Sequence, residues 1–510
     1  LGLSGPVDKA DFQPVLEGRL PNGDVLGRIV DGERKHTPGW DLTFSAPKSV
    51  SLLAEVGLDH RLVEAHEKAV TAAMAWTESN AIGTRESTSV GKVFVRTENL
   101  LAARFTHHTS RNQDPALHSH VVVANATQDA SGQWRSVHSI ELFRSKMAIG
   151  QVYRSELARE VLALGYDIKV DEKQGTWEIP AVPDEYRTLM SSRRAQIEQK
   201  LAEWGKNGAE DAARAALVTR QRKQDTPLRE LQGKWRSVAG EMGIPVDRWV
   251  QDAEARGPQE RSGVESLESA IREARAAASE KEAVFSHAEL VRDIHRRTVG
   301  AYTTAQIEKA IAAKASTGEL ERVDEGGKRL WTTPMAKSQE ARVLSSVMEA
   351  RAEPLLSRRA MGRADLSALN DSQANTARLV LTTDSKHMAI VGRAGVGKTT
   401  MLKTVNDILS ANRVTVKGMA SNADAAKGLS TTAGIESSTI HKHLQTVSKE
   451  LRERAGENRL TTFLRQITSR PEVWVVDEAS QIPNNLAARL FWAAERAGAR
   501  VVLVGDDRQT

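Results

Sequence analysis

A multidomain α/β protein is predicted from three observations. The chain has 510 residues, more than one hydrophobic core organises at roughly 150 residues per domain. Its first half mixes short strand-like runs with longer helical ones. From Leu369 a strand, a glycine loop, a helix and another strand follow one another, the order of a parallel sheet. The expected partition is a domain with a central antiparallel sheet over 1–255, a charged linker over 256–282, a winged-helix-like module over 283–365 and a parallel α/β domain over 366–510.

The elements follow in order. DLTFSAP (41–47) and VFVRT (93–97) have strand character, while RLVEAHEKAVTAAMAWTESNA (61–81) spaces its apolar residues as a helix does. HSHVVVANAT (118–127) alternates and then turns continuously apolar, as a half-buried strand would. A helix over 139–165 and a hairpin, YDIKVDEKQGTWEI (166–179), with Gln-Gly at its turn, come next. Residues 251–282 are rich in Ala, Glu, Arg and Ser with little apolar periodicity, which predicts a charged helix or linker. FSHAELVRDIHRR, TTAQIEKAIAAKASTGELERV and KRLWTT then give a helix, helix, hairpin order, hence the winged-helix-like module.

Composition narrows the chemistry. With no cysteine, disulfides, thiolate metal sites and cysteine nucleophiles are excluded, so any metal rests on His and carboxylate ligands, and a reducing cytosol suits the chain. Lys and Arg number 71 against 66 Asp and Glu, a mildly basic balance that permits a polyanionic partner without requiring one. No run approaches the roughly 18 to 20 apolar residues that span a bilayer, and LGLSGPVDKADF lacks the basic and apolar regions of an export signal. A cytoplasmic protein without membrane insertion is expected. The chain starts at Leu and stops within VVLVGDDRQT, so both ends are expected to be cut.

VGRAGVGKTTML satisfies G-x-x-x-x-G-K-[ST] between an apolar strand and a helix. Backbone N–H groups around Gly392, Gly395 and Gly397 can close on phosphate oxygens, Lys398 can reach the outer phosphates, and the Thr399 hydroxyl, followed by Thr400, can ligate magnesium. VWVVDEAS is a buried strand ending in Asp477, which can hold the magnesium through water, and Glu478, which can polarise the attacking water. ATP with Mg is the expected ligand. VVLVGDDRQ, with Gly505, Asp506 and Gln509, resembles the third motif of superfamily 1 helicases, whose Gln senses the γ-phosphate. LNDSQ, ending in Gln373, resembles their adenine-reading Q motif, and TIHKHL (439–444) resembles a segment of the RecD-like branch. The resemblance implies a RecA-like ATPase domain whose second RecA-like half would follow Thr510. The chain by itself is expected to bind nucleotide weakly and not to couple hydrolysis to translocation.

The run FTHHTSRNQDPALHSHVVVAN (105–125) gathers four of thirteen histidines. His118 and His120, two apart on a strand, leave the same face. His107 or His108 comes from the preceding strand, giving a three-histidine site with open positions for a divalent cation. Together with LEGRLPNGDVLGR (16–28) and HTPGWDLTFSAPKSVSLL (36–53), this run resembles the conjugative relaxases of the TraI/TrwC type, the MobF family of HUH endonucleases.

That resemblance implies a relaxase domain over 1–255 with a metal triad of His107, His118 and His120, leaving His108 a neighbour. Asp41 takes the place of the Asp that orients a ligand or accepts a tyrosine proton. It also implies the chemistry. A tyrosine hydroxyl attacks single-stranded DNA at the transfer origin, a divalent metal (Mg, Mn or Zn) neutralises the phosphodiester oxygens, and the 5′ end stays on the tyrosine. Other relaxosome proteins, a type IV secretion coupling protein and a bacterial cytoplasm belong to the same expectation. The family's paired tyrosines lie upstream of where Leu1 aligns. Tyr153, Tyr166, Tyr186 and Tyr302 are unpaired and expected to be structural, so no nucleophile is expected in this chain.

Lys48 and Arg111 are the candidate contacts to DNA phosphates, and Trp40 can stack on a base or pack in the core. Two other readings stay open. One is a repair-type helicase with a metal-dependent hydrolytic nuclease, which would release a free 5′-phosphate. The other is a non-enzymatic origin-binding factor whose metal site is structural.

Overall fold

Residues 5–20, 22–89, 91–219, 226–393, 395–454 and 470–506 are described in a computed structural model, and the chain divides into two units, 1–278 with 284–331 and 279–283 with 332–510.

In the first unit the alternating sequences form β1 (Gly39–Ser45), β2 (Ala102–Thr109) and β3 (Pro115–Ala124), a three-stranded antiparallel sheet in the order β1-β3-β2. Period-two alternation buries Leu117, Ser119, Val121 and Val123 of β3 and turns His118 and His120 to the other face. Gly39 is required where β1 meets β3, because a Cβ there would lie 2.1 Å from the Val123 carbonyl oxygen. Two helices enter from β1: α1 (Lys48–Glu55) and α2 (His60–Ala81), the latter capped by Asp59, whose carboxylate accepts from the Arg61 N–H. The buried stripe of α2, Leu62, Ala65, Ala69, Val70 and Ala73, packs along α3 (Ser139–Ala163). The expected hairpin forms as β4 (Lys169–Asp171) and β5 (Thr176–Glu178), with Gly175 at φ +67° closing a longer turn than Gln-Gly alone would make.

The region expected as a linker contains α4 (Leu267–Lys281), whose Ala270, Ile271 and Ala274 are buried in the core of the first unit. The winged-helix-like order is present: β6 (Phe285–Ser286), α5 (His287–Arg297), α6 (Thr304–Ser316), β7 (Glu321–Glu325) and β8 (Lys328–Thr332), with sheet order β6-β8-β7. Ser286 with Glu289, and Thr303 with Gln306, build capping boxes at the two helix starts. These elements pack with the first unit, where the sequence placed them ahead of the ATPase. Leu290, Val291, Ile294, Ile307 and Ile311 join the same apolar core as Val152, Leu157 and Val161 of α3. The physical reason is that α3 is apolar on more than one face, so α2 alone leaves part of it uncovered. The carboxylate of Glu156 on α3 also accepts from the Thr304 N–H and hydroxyl, both at 2.6 Å.

The second unit is a five-stranded parallel sheet. Its strands are β9 (His387–Val391), β10 (Thr415–Ala420), β11 (Glu436–Thr439), β12 (Glu472–Val476) and β13 (Arg500–Gly505), in the order β9-β13-β12-β10-β11. Its helices are α7 (Pro334–Glu349), α8 (Asp371–Thr382), α9 (Lys398–Ala411), α10 (Ala423–Ala433), α11 (Ile440–Arg454) and α12 (Asn484–Ala497). Val473 and Val475 pack with α8, α9 and α10, while Trp474 and Val476 pack with α11 and α12. Burial on both faces explains the continuous apolar run of β12. Among the described residues no helix is long and apolar enough to cross a membrane.

Ile294→Ala should lower stability by about 2–5 kcal/mol, the range for a buried aliphatic truncation, and shift the same urea-unfolding transition as Leu157→Ala. Separate transitions for the two variants would contradict a shared core.

Candidate metal centre and phosphate loop

Antiparallel register builds the histidine cluster. His107 on β2 stands directly opposite His118 on β3, and Phe105 opposite His120. The three rings of His107, His118 and His120 surround one space, with centres 5.3, 5.5 and 5.3 Å apart. On β3 one ring nitrogen of each histidine is already committed. His118 Nδ1 lies 2.9 Å from the Ala116 carbonyl oxygen, and His120 Nδ1 lies 2.7 Å from Asp41 Oδ2 and 3.2 Å from Thr43 Oγ1. Nε2 is therefore the nitrogen that His118 and His120 keep for a ligand. Burial holds the His118 pKa below its ordinary value, which favours the neutral, ligating form. Among the described residues, however, no three His, Asp or Glu side chains are gathered with their donor atoms on one point. The rings are assembled; their nitrogens are not closed.

His108 is turned elsewhere. The β2–β3 ladder shifts register between His107 and Thr109, and His108 Nδ1 meets Glu55 Oε1 of α1 at 2.7 Å. That hydrogen bond, at a carboxylate 2% exposed, raises the His108 pKa. On the buried side of the sheet, Ser119 sits between the two β3 histidines. Its hydroxyl is 2.8 Å from His66 Nε2 and 3.0 Å from Thr106 Oγ1, and His66 Nδ1 is 2.8 Å from the Tyr153 hydroxyl. Burial drives the His66 pKa down to about 3, so this network is uncharged. Sequence reasoning missed Glu55, His66 and Thr43. Only Thr43 had a signal, since it shares the face of β1 with Asp41.

The proposed DNA contacts differ from each other. Lys48 donates to the Pro115 carbonyl at 2.7 Å, and burial lowers its pKa to about 8, so its ammonium holds the β2–β3 loop. Arg111 is exposed in that loop. Trp40 is half-buried against the core and lines a cavity of about 480 Å³ with Phe44, Phe143 and Tyr153. The four tyrosines are all occupied by packing. Tyr153 meets His66; Tyr166 donates to Asp59 Oδ2 at 2.7 Å; Tyr186 is fully buried; the Tyr302 hydroxyl accepts from the Leu267 N–H at 3.1 Å.

In the second unit, the phosphate loop follows β9, Asp477 follows β12, and Asp506 follows β13, which lies between them in the sheet. All three sites therefore sit at the C-terminal ends of parallel strands. Gly395 and Gly397 take φ of +78° and +80°, open only to glycine without strain. Lys398 donates to the carbonyls of Gly392 and Arg393, and Thr399 and Thr400 are exposed at the start of α9. Gln373 Nε2 donates to the Val396 carbonyl at 2.9 Å, and a Cβ on Gly397 would fall 2.2 Å from it, so Gln373 braces the loop. Glu478 adopts φ +55°, a conformation costing of order 1–3 kcal/mol that concentrates at functional sites. His443, within TIHKHL, is buried edge-on against Trp474 with ring centres 4.5 Å apart. Gln509 lies outside the described residues.

Three imidazoles stand on the open face of an antiparallel sheet, and the other unit carries a phosphate loop on a parallel one, which makes it a P-loop domain. The TrwC relaxase family matches residues 1–242 and the AAA domain family matches 368–510. The multifunctional conjugation protein TraI of Escherichia coli is 41% identical over 317 residues, 59% of this chain and 17% of its own length. The conjugal transfer protein TraA of Agrobacterium fabrum is 39% identical over 121 residues, 24% of this chain and 10% of its own. The solved, copper-bound structure of the conjugative relaxase TrwC with OriT DNA is 33% identical, covering 48% of this chain and 85% of that one at a TM-score of 0.45. Residues 1–242 thus carry a TrwC relaxase domain and 368–510 an AAA domain, and the chain spans 17% of the length of the TraI relatives it matches.

Because its folded-state pKa is raised, His108 adds stability that is complete below about pH 6.5, its ordinary value, and fades as pH rises through the folded value. The melting-temperature gap between the parent chain and His108→Gln should therefore be wide at about pH 6 and narrow by about pH 9. A constant gap would show that the Glu55 pairing contributes nothing.

Proposed function

We propose that this chain supplies the metal-binding part of a conjugative DNA relaxase and the nucleotide-binding part of an ATP-driven DNA helicase. The substrates are single-stranded DNA at a transfer origin and ATP with Mg. The observation that carries the first half is the ring triangle of His107, His118 and His120, with Nδ1 of both β3 histidines engaged by Ala116 and Asp41. The donor set fits a divalent cation such as Mn, Zn or Mg at open coordination positions.

A cation held there supplies positive charge against the non-bridging oxygens of the phosphodiester under attack. The protein's own groups do the rest. Asp41 fixes the His120 tautomer with its proton on Nδ1, as a carboxylate behind a ligating histidine does. Burial keeps His118 neutral. Imidazole ligands carry no charge when they coordinate, so a cation held by them would keep its full charge for the phosphodiester. Arg111, exposed in the adjoining loop, contacts backbone phosphates.

None of the four tyrosines serves as nucleophile, since each hydroxyl is buried or bonded away from the triad. In the second unit Lys398 and Thr399 take the phosphates and magnesium, Asp477 the magnesium's water shell, and Glu478 the attacking water, with Gly392, Gly395, Gly397 and Thr400 shaping the cradle. Relaxosome proteins, a type IV secretion coupling protein and a cytoplasmic location complete the proposal.

Titration with Mn²⁺ followed by electron paramagnetic resonance should show one site that His118→Ala abolishes. Asp41→Asn should weaken it about 10- to 100-fold, the usual effect of losing a carboxylate behind a ligand, and His108→Gln should leave it unchanged. Equal losses in His108→Gln and His118→Ala would refute the triad. With metal and origin-bearing single-stranded DNA, the chain should bind without forming a covalent adduct on any of its four tyrosines. Release of a free 5′-phosphate would establish the hydrolytic nuclease in its place.

A further inference from the structure

We propose that His66 is a positioning residue for the candidate metal centre: a buried histidine on α2 that sets the spacing of the three imidazoles through Ser119, without touching metal or DNA. The proposal rests on the metal-binding reading of the triad.

Ser119 occupies a particular row of the sheet. Across the three strands that row is Phe44, Ser119 and Thr106, and the rows on either side hold the imidazoles: His120 between Thr43 and Phe105, His118 between Ser45 and His107. Side chains alternate, so Ser119 points into the core between two histidines that point out of it. Whatever fixes Ser119 therefore fixes the backbone between His118 and His120. Its hydroxyl lies 2.8 Å from His66 Nε2 and 3.0 Å from Thr106 Oγ1, and both Ser119 and His66 are fully buried. The other nitrogen, His66 Nδ1, lies 2.8 Å from the Tyr153 hydroxyl of α3. Tyr153 in turn packs on Phe44 of the same row, with ring centres 5.2 Å apart. Two helices thus hold the one row that separates the β3 histidines.

The hydrogen-bonded line has a single direction. Tyr153 is buried, and among the described residues His66 Nδ1 is the one partner of its hydroxyl, so Tyr153 donates. His66 is neutral; accepting at Nδ1, it carries its proton on Nε2 and donates to Ser119. Ser119 donates to Thr106, which is half-buried and passes its own hydrogen to solvent. Reversing every bond would leave the Tyr153 hydrogen in the core without an acceptor. Packing alone does not call for a histidine here. An aliphatic side chain fills a core site with no polar group to satisfy, whereas a fully bonded buried network fixes one arrangement of the groups it joins.

The test measures Mn²⁺ binding to the full chain by electron paramagnetic resonance, beside ¹⁵N spectra of its imidazoles. The parent chain should hold one Mn²⁺, and His66 should show one tautomer with its proton on Nε2. His66→Leu should weaken Mn²⁺ binding about tenfold, the low end for losing a group behind a metal ligand. Ser119→Ala, which removes only the hydroxyl, should do the same. His66→Gln, whose amide nitrogen can stand in for Nε2, should recover most of the affinity, and Tyr153→Phe should spread the His66 proton over both nitrogens. Leu157→Ala, a truncation in the same core, should lower the melting temperature and leave Mn²⁺ affinity at the parent value. Equal weakening in Leu157→Ala and His66→Leu would reduce His66 to a stability role and overturn the proposal. So would full affinity in Ser119→Ala or His66→Leu, or a His66 proton on Nδ1. A parent chain with no Mn²⁺ site would overturn the metal-binding reading itself, and this proposal with it.

Discussion

The cross-strand pairing of His107 with His118 is the constraint on which the candidate metal centre depends. In an antiparallel ladder a slip of one residue sends every side chain to the opposite face. It would put Ser119 outside and bury His118 and His120. Contacts on both faces hold the register. Beneath the sheet, Thr106, Ser119, His66 and Tyr153 form a buried hydrogen-bonded line, and leaving one of these groups unpaired costs about 1–3 kcal/mol. Above it, Thr43 and Asp41 of β1 hold His120. At the end of the ladder, Lys48 fastens the loop through the Pro115 carbonyl. A lysine beside the site thus fixes the strand end next to the loop that carries Arg111.

The second unit meets a different constraint with the same economy of parts. A parallel sheet buried on both faces leaves its chemistry to the loops at one end. The strand order puts the phosphate loop, Asp506 and Asp477 side by side at that end. Gln373, fixed in its own helix cap, braces the loop through the Val396 carbonyl.

Much of this was legible in the sequence because it is periodic or local. His118 and His120 share a face by strand parity, and glycine and lysine spacing marks the phosphate loop. Choosing His107 over His108 was another matter. Loop length alone does not set the register, and the deciding partner, Glu55, lies on a helix 53 residues away. Lys48 was misleading for a related reason: a lysine's sequence context does not tell whether its ammonium faces DNA or a carbonyl. The stretch 256–282 looked like a linker because alanine carries little apolar signal. Yet Ala270 and Ala274, with Ile271, are buried in the core of the first unit. Residues 284–331 have the local pattern of a winged helix, and no local pattern says which neighbour it covers.

The sheet brings the three rings together, and a cation bound there would draw their nitrogens inward. Long-range ¹H–¹⁵N correlation spectra of the chain, recorded with and without Zn²⁺, test this most directly. His118 and His120 should carry their proton on Nδ1 in both states, the Nε2 signals of both should move on metal addition along with one nitrogen of His107, and His108 should stay unmoved. Protonation of either β3 histidine on Nε2, or a metal-induced shift at His108 in place of His107, would contradict it.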